Sequence, residues 1–297
     1  MDVIETVEIK DEHGSTINYS LYKGHVYPPH VSSNIRDLVA NTAQLKCRQD
    51  DVLLYTYPKS GTHWMYNILH MFLTGKITYA GTPAYLEFHN IDVINSMASP
   101  RLFATHLEVD LFPEDIKNGI GRVFNIIRNP KDVAVSYYCF LTAMKNVGFT
   151  GDFTGFLHFY LKEEFFFGNW FASIKQWIDI EKMYPKMKTI TLYYEDLKRN
   201  TLPNLERVVR FLGIPRDDEF CKNVMANTDF TTMKQKHEAE SKRMEQFRNV
   251  VKDGILPVYR KGDIGDWKRW FTPAQSELFD RIYKERLAGY NVELVFD

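Results

Sequence analysis

Cysteine is scarce in this chain. Cys47, Cys139 and Cys221 are the only three in 297 residues, odd in number and far apart. That argues against a disulfide framework, and a reducing, cytoplasmic setting is expected. No Cys-x-x-Cys pair and no His-Glu-x-x-His run occurs, so the sequence gives no support to a zinc site and no metal is expected. No run of about eighteen apolar residues appears, so no membrane-spanning helix is expected. Residues 1–15 carry Asp2, Glu5, Glu8, Asp11 and Glu12 and lack a basic-then-apolar leader. Net charge is nearly absent too: Lys and Arg total 37 against 38 Asp and Glu. A general nucleic-acid binder rests on a basic field, so no nucleic-acid partner is expected, although a few local cations could still hold a small anion.

Hydrophobic residues make up 44% and charged residues 25% of the chain, and there is no repeat, low-complexity tract or long linker. A chain of this size buries about three-quarters of its unfolded surface, enough for one compact domain without staples. Residues 51–57 are apolar, β-branched and aromatic and read as a strand that Pro58 ends. From Thr62, apolar residues Met65, Ile68, Leu69, Phe72 and Leu73 recur at helical spacing. The alternation continues with strands at 101–106, 123–127 and 188–194. Helices are expected after Pro130, through Trp170, Ile174, Trp177 and Ile178, from Leu205 to Leu212, and over 272–287. This pattern predicts an α/β fold with a central, mostly parallel sheet flanked by helices, and ligands beyond the carboxyl ends of its strands.

Three motifs carry chemistry. Tyr57-Pro58-Lys59-Ser60-Gly61-Thr62-His63-Trp64 joins a strand to a helix start, where free backbone N–H groups attract anions. Lys59 adds charge, Ser60 and Thr62 add hydroxyls, and Gly61 permits close approach; a plain turn with an N-cap is the bland alternative. In Arg128-Asn129-Pro130-Lys131-Asp132-Val133-Ala134-Val135-Ser136, the arginine ends an apolar strand and could grip a phosphate bidentately. A salt bridge between Arg128 and Asp132 is its ordinary alternative. Arg260-Lys261-Gly262-Asp263-Ile264-Gly265-Asp266-Trp267-Lys268 reads as a flexible basic loop, or as solvated charge beside a turn. Together Lys59, Arg128, Arg260 and Lys261 suit a ligand with two separated anionic groups.

With these residues in view, the chain from about Asp50 to its end resembles the cytosolic sulfotransferases, which use 3′-phosphoadenosine 5′-phosphosulfate (PAPS). The resemblance rests on residues 57–62, 128–138, 194–198 and 260–268 in the family's order. It implies an N-terminal segment, 1–49, packing near the acceptor pocket, and a sulfotransferase domain, 50–297, within one compact unit. It further implies that Lys59, Ser60, Gly61, Thr62, His63 and Trp64 cradle the phosphosulfate, with Trp64 stacking on adenine. Arg128 and Ser136, completed by Arg260, Lys261 and Gly262, match contacts to the 3′-phosphate. Tyr194, Thr228 and Phe230 match adenine contacts. His106 matches the catalytic base, while Lys59 and Ser136 match its catalytic partners.

The acceptor implied is a small hydrophobic alcohol, phenol, steroid or amine, with Tyr85, Phe88, His106 and Phe140 around it and residues 241–257 as a lid. The chain departs from the family at His63, commonly Thr, at Asp229, usually Ser, and at Ala104, where the phenol branch carries Lys; the 99–103 segment is closer to the hydroxysteroid form. Pro273 replaces a valine in a pairing stretch that Lys268, Thr272 and Glu277 otherwise match, so a monomer or weak homodimer is expected. A nucleotide kinase and a non-catalytic nucleotide binder are the rival classes. The first lacks a Walker pattern, and the second would leave His106 and Lys59 without a task.

Overall fold

The computed structural model describes residues 4–29, 31, 35–145 and 148–297. Its centre is a four-stranded parallel sheet built from β4 (Val52–Thr56), β5 (Leu102–Thr105), β6 (Arg122–Ile127) and β8 (Thr189–Tyr193), in the order β5–β4–β6–β8. Strands β4 and β5 are buried along their whole length, as their unbroken apolar runs require of a sheet covered on both faces. Alternate side chains feed two cores. Leu53 and Tyr55 point to one with Phe103 and Val123; Val52 and Leu54 point to the other with Leu102 and Phe124. The helices Thr62–Thr74 and Thr201–Leu212 cover the second face, and Pro130–Ala143 and Trp170–Ile178 cover the first.

Connections run outward from β4 in opposite directions, so the strand order reverses between β4 and β6. Loops leaving those two strands separate there and open a crevice, the usual ligand position in such sheets. The loop after β4 is 57–61; the residues after β6 are Arg128 and Asn129.

Arg101 and Asp51 brace the opposite end of the sheet. Both are essentially solvent-free, and the guanidinium donates to both carboxylate oxygens, at 2.9 and 2.5 Å.

The N-terminal region folds as something the sequence reading did not specify. Strands β1 (Glu5–Lys10), β2 (Thr16–Tyr22) and β3 (His25–Tyr27) form an antiparallel sheet that β7 (Phe149–Thr150) joins through β2. The expected lid is also more ordered than a loop. Helix Phe230–Arg243 runs into it, a second helix, Glu245–Val250, follows, and Met144 bridges Val251.

Candidate active site

The helix Thr62–Thr74 opens on Gly61, at φ of 109°, which has no side chain to offer, so its first-turn N–H groups are not capped by the N-cap residue. Lys59 stands before it with φ of 71°. A non-glycine residue held there costs about 1–2 kcal/mol, a strain the loop stores beside its cation. The Lys59 ammonium lies 4.2 Å from the Phe140 ring centroid and donates to the Pro257 carbonyl at 3.2 Å. Burial, with Arg128 nearby, lowers its pKa to about 7.

Arg128 leaves β6 into the same crevice. It stacks 4.3 Å above the Tyr194 ring and donates to the carbonyls of Lys59 and Asp263 at 3.1 and 3.3 Å. No pairing with Asp132 forms. Asp132 instead accepts the backbone N–H groups of Gly265 and Trp267 at 2.8 and 2.9 Å and so anchors the basic loop. Arg260 and Lys261 each donate to Asp266 at 2.6 Å, and Asp266 is held below the usual carboxylate range by those two bonds despite its burial. Gly262 is needed where it is: a Cβ there would meet Phe230 Cδ2 at 2.3 Å. The Gly262 carbonyl accepts the Tyr194 hydroxyl at 3.3 Å.

Trp64 donates its indole N–H to the Thr228 carbonyl at 2.7 Å, next to Tyr194. The Thr228 hydroxyl turns back onto Val224. Asp229 caps helix Phe230–Arg243 by accepting from Thr231 and Thr232, a task serine also performs, so its departure has a local reason. Thr62 meets Thr56 hydroxyl to hydroxyl at 2.7 Å, and Ser136 borders the cavity.

His106 follows β5. The Thr56 carbonyl can only accept, so the contact of 2.8 Å to His106 Nδ1 places the proton on that nitrogen and leaves Nε2 with its lone pair. Burial, opposed by that hydrogen bond, and the Lys59 charge bring the pKa of His106 down to about 4. Its backbone N–H donates to buried Glu87, whose carboxyl desolvation pushes up to about 7. Tyr85 and Phe167 flank the ring at 5.0 and 5.7 Å.

These groups converge on one cavity of about 910 Å³. Tyr85, Phe88, His106 and Phe140 line it together with Lys59, Gly61, Thr62, His63, Trp64, Arg128, Tyr194, Phe230 and Arg260 to Gly262. Ser60 and Thr228 are not among its lining residues. Lys198, one turn beyond Tyr194, also lines it, and sequence reasoning gave it no role although it ends one of the quoted motifs. The loop-anchoring role of Asp132 and the strand-end role of Glu87 were not foreseen, because each rests on backbone N–H groups that only the fold brings to it.

Arg128 Nε, Arg260 Nε and Ser60 Oγ are buried and unpartnered. Such donors around an uncapped helix start fit a polyanionic nucleotide. Fold and site thus define a nucleotide-dependent transferase with an aromatic acceptor pocket. A Sulfotransferase domain model matches residues 49–291. Mouse Sulfotransferase 1A1 is 34% identical over 253 residues, 81% of this chain and 85% of that protein. The 3-alpha-hydroxysteroid sulfotransferase of Cavia porcellus is 29% identical over 276 residues, covering 90% and 92%. The crystal structure of mouse sulfotransferase SULT7A1 complexed with PAP superposes with a TM-score of 0.74 at 26% identity, covering 92% and 96% of the two chains. The chain belongs to the sulfotransferase family. It is a PAPS-dependent enzyme that moves a sulfuryl group to a hydroxyl of a small hydrophobic acceptor, which disposes of the kinase alternative.

Proposed function

We propose that His106 is the general base of this transfer and that Lys59 supports it electrostatically. The observation that carries the reading is the Nδ1–H bond to the Thr56 carbonyl, which aims the lone pair of a neutral imidazole away from the sheet. Bound PAPS supplies the sulfuryl group. His106 Nε2 takes the acceptor proton, and Glu87 holds the strand end that carries it. The Lys59 ammonium balances charge that builds on the oxygen left behind. Lys59, Ser60, Gly61, Thr62 and the backbone N–H of His63 would hold the donor's 5′ end; Arg128, Ser136, Arg260, Lys261 and Gly262 would hold its 3′-phosphate; Trp64, Tyr194 and Phe230 would hold its base, with the Thr228 carbonyl orienting the Trp64 indole.

Tyr85, Phe88 and Phe140 support a hydrophobic acceptor, and Ala104 in place of lysine favours alcohols and steroids over simple phenols. We infer a cytoplasmic enzyme, in keeping with three free thiols. We also infer a monomer or weak homodimer: Pro273 opens helix Pro273–Arg286 behind a Thr272–Gln275 capping box and has no N–H to offer a second chain. Incubating the enzyme with PAPS labelled in sulfur and a panel of phenols, sterols, aliphatic alcohols and amines tests the acceptor assignment. Label on sterols or aliphatic alcohols above phenols is expected; transfer to phenols alone would overturn it.

A further inference from the structure

The cavity wall carries a second polar patch whose side chains sulfuryl transfer does not use, the His63 imidazole among them although its backbone N–H is assigned to the donor. His63 Nδ1, Thr82 Oγ1, Glu240 Oε2 and Tyr259 OH are buried there without a hydrogen-bond partner, and all four residues line the cavity. The rings of His63, His237 and Tyr259 meet one another at centroid distances of 5.5 to 6.5 Å. Tyr85 touches His106 at 5.0 Å and His63 at 6.1 Å, so the patch lies one ring beyond the base.

Glu240 is the unusual member. Its carboxylate sits over Gly81, where a Cβ would come within 2.2 Å of Oε1, so the backbone there leaves room for it. Its one neighbour of note is the Tyr79 hydroxyl, and among the described residues no Lys, Arg or His forms an ion pair with it. Desolvation raises its pKa accordingly. The two imidazoles do not supply the missing charge. Burial and mutual repulsion keep His63 neutral, and His237 donates from Nε2 to the Leu256 carbonyl at 2.8 Å and is itself depressed by burial. A carboxylate in the cavity wall, bonded to Tyr79, whose hydroxyl also meets His237 Nδ1 at 3.3 Å, lacks a cation. An anionic ligand would be repelled, and a neutral hydroxyl would leave the charge uncompensated.

We propose that this patch recognises a protonated amine carried by the acceptor, with Glu240 as the counter-ion and His63 and Tyr259 as the enclosing rings. The amine is a handle; the hydroxyl, one ring away beside His106, receives the sulfuryl group. The inference rests on the acceptor-pocket reading above and adds the chemical class of the acceptor.

The test compares a cyclohexanol bearing a 4-(dimethylaminoethyl) chain with its isostere having CH in place of the protonated nitrogen. In the wild-type enzyme the amine should have the higher kcat/KM. Glu240→Gln should cut the ratio of the two kcat/KM values by about 10- to 100-fold, mainly through KM, the range for a charge-assisted hydrogen bond. An unchanged ratio overturns the proposal. Calorimetry with both alcohols on the wild-type enzyme holding 3′,5′-adenosine bisphosphate decides the matter independently of turnover and of the variant's folding. Tighter binding of the amine supports the patch, and equal binding overturns it. Amine-selective binding without label transfer would count against the base assignment and leave the patch standing.

Discussion

Lys59 enters the free enzyme with its pKa lowered to about 7, because burial and Arg128 both disfavour the ammonium. An anionic donor beside it reverses that balance, so binding must draw a proton onto Lys59 wherever the free lysine is neutral. At pH 8 a group with a pKa of about 7 is roughly nine-tenths deprotonated. Cofactor binding at that pH should therefore take up about 0.9 proton, falling to about half a proton from Lys59 at about pH 7, where the free lysine is half protonated. The sign follows: affinity is greatest below about pH 7 and falls as pH rises, by up to about tenfold, or about 1.4 kcal/mol, per unit. At pH 8, phosphate groups with a second pKa near 6 are already ionised and contribute little. Titrating 3′,5′-adenosine bisphosphate calorimetrically in two buffers of different ionisation enthalpy measures the uptake. Wild type should show it and Lys59→Gln should not. Equal uptake in both proteins, or none in either, would refute the reasoning.

Replacing Arg260 and Lys261 together by alanine should weaken PAPS more than an analogue without the 3′-phosphate; equal losses would move those contacts elsewhere. Arg101→Met should destabilise the fold by about 3–5 kcal/mol, since it leaves Asp51 buried without its cation, and a denaturant midpoint shift well below that range would count against the pairing as described. Sedimentation across a dilution series should find monomer at low concentration; a dimer persisting at nanomolar protein would contradict the role given to Pro273.

What was legible in the sequence was what local rules govern. Residues 51–57 announced a strand by their apolar, β-branched and aromatic run, residues 123–127 a covered one by being apolar on both faces, and Pro58 marked the end of the first before a helix whose apolar period begins at Met65. Arg128 could be placed in the crevice because it ends such a strand. The N-terminal sheet escaped although Val7 and Ile9 alternate with Glu8 and Lys10, because the apolar positions of β1 are only two and half-buried, among charged residues that also suit a solvated segment. Asp132 was weighed only against Arg128, whereas it accepts from the Asn129 side chain and from two backbone amides more than a hundred residues away. Glu240 lies on a polar helix, and its isolation from cations is a property of the assembled cavity that no spacing discloses.

The central claim is that neutral His106 removes the acceptor proton. Single-turnover sulfuryl transfer by His106→Ala, measured beside its PAPS affinity, tests it most directly. The account predicts a rate lower by about two to four powers of ten with cofactor affinity little changed. Transfer at the wild-type rate, or a loss explained wholly by weakened PAPS binding, would contradict it.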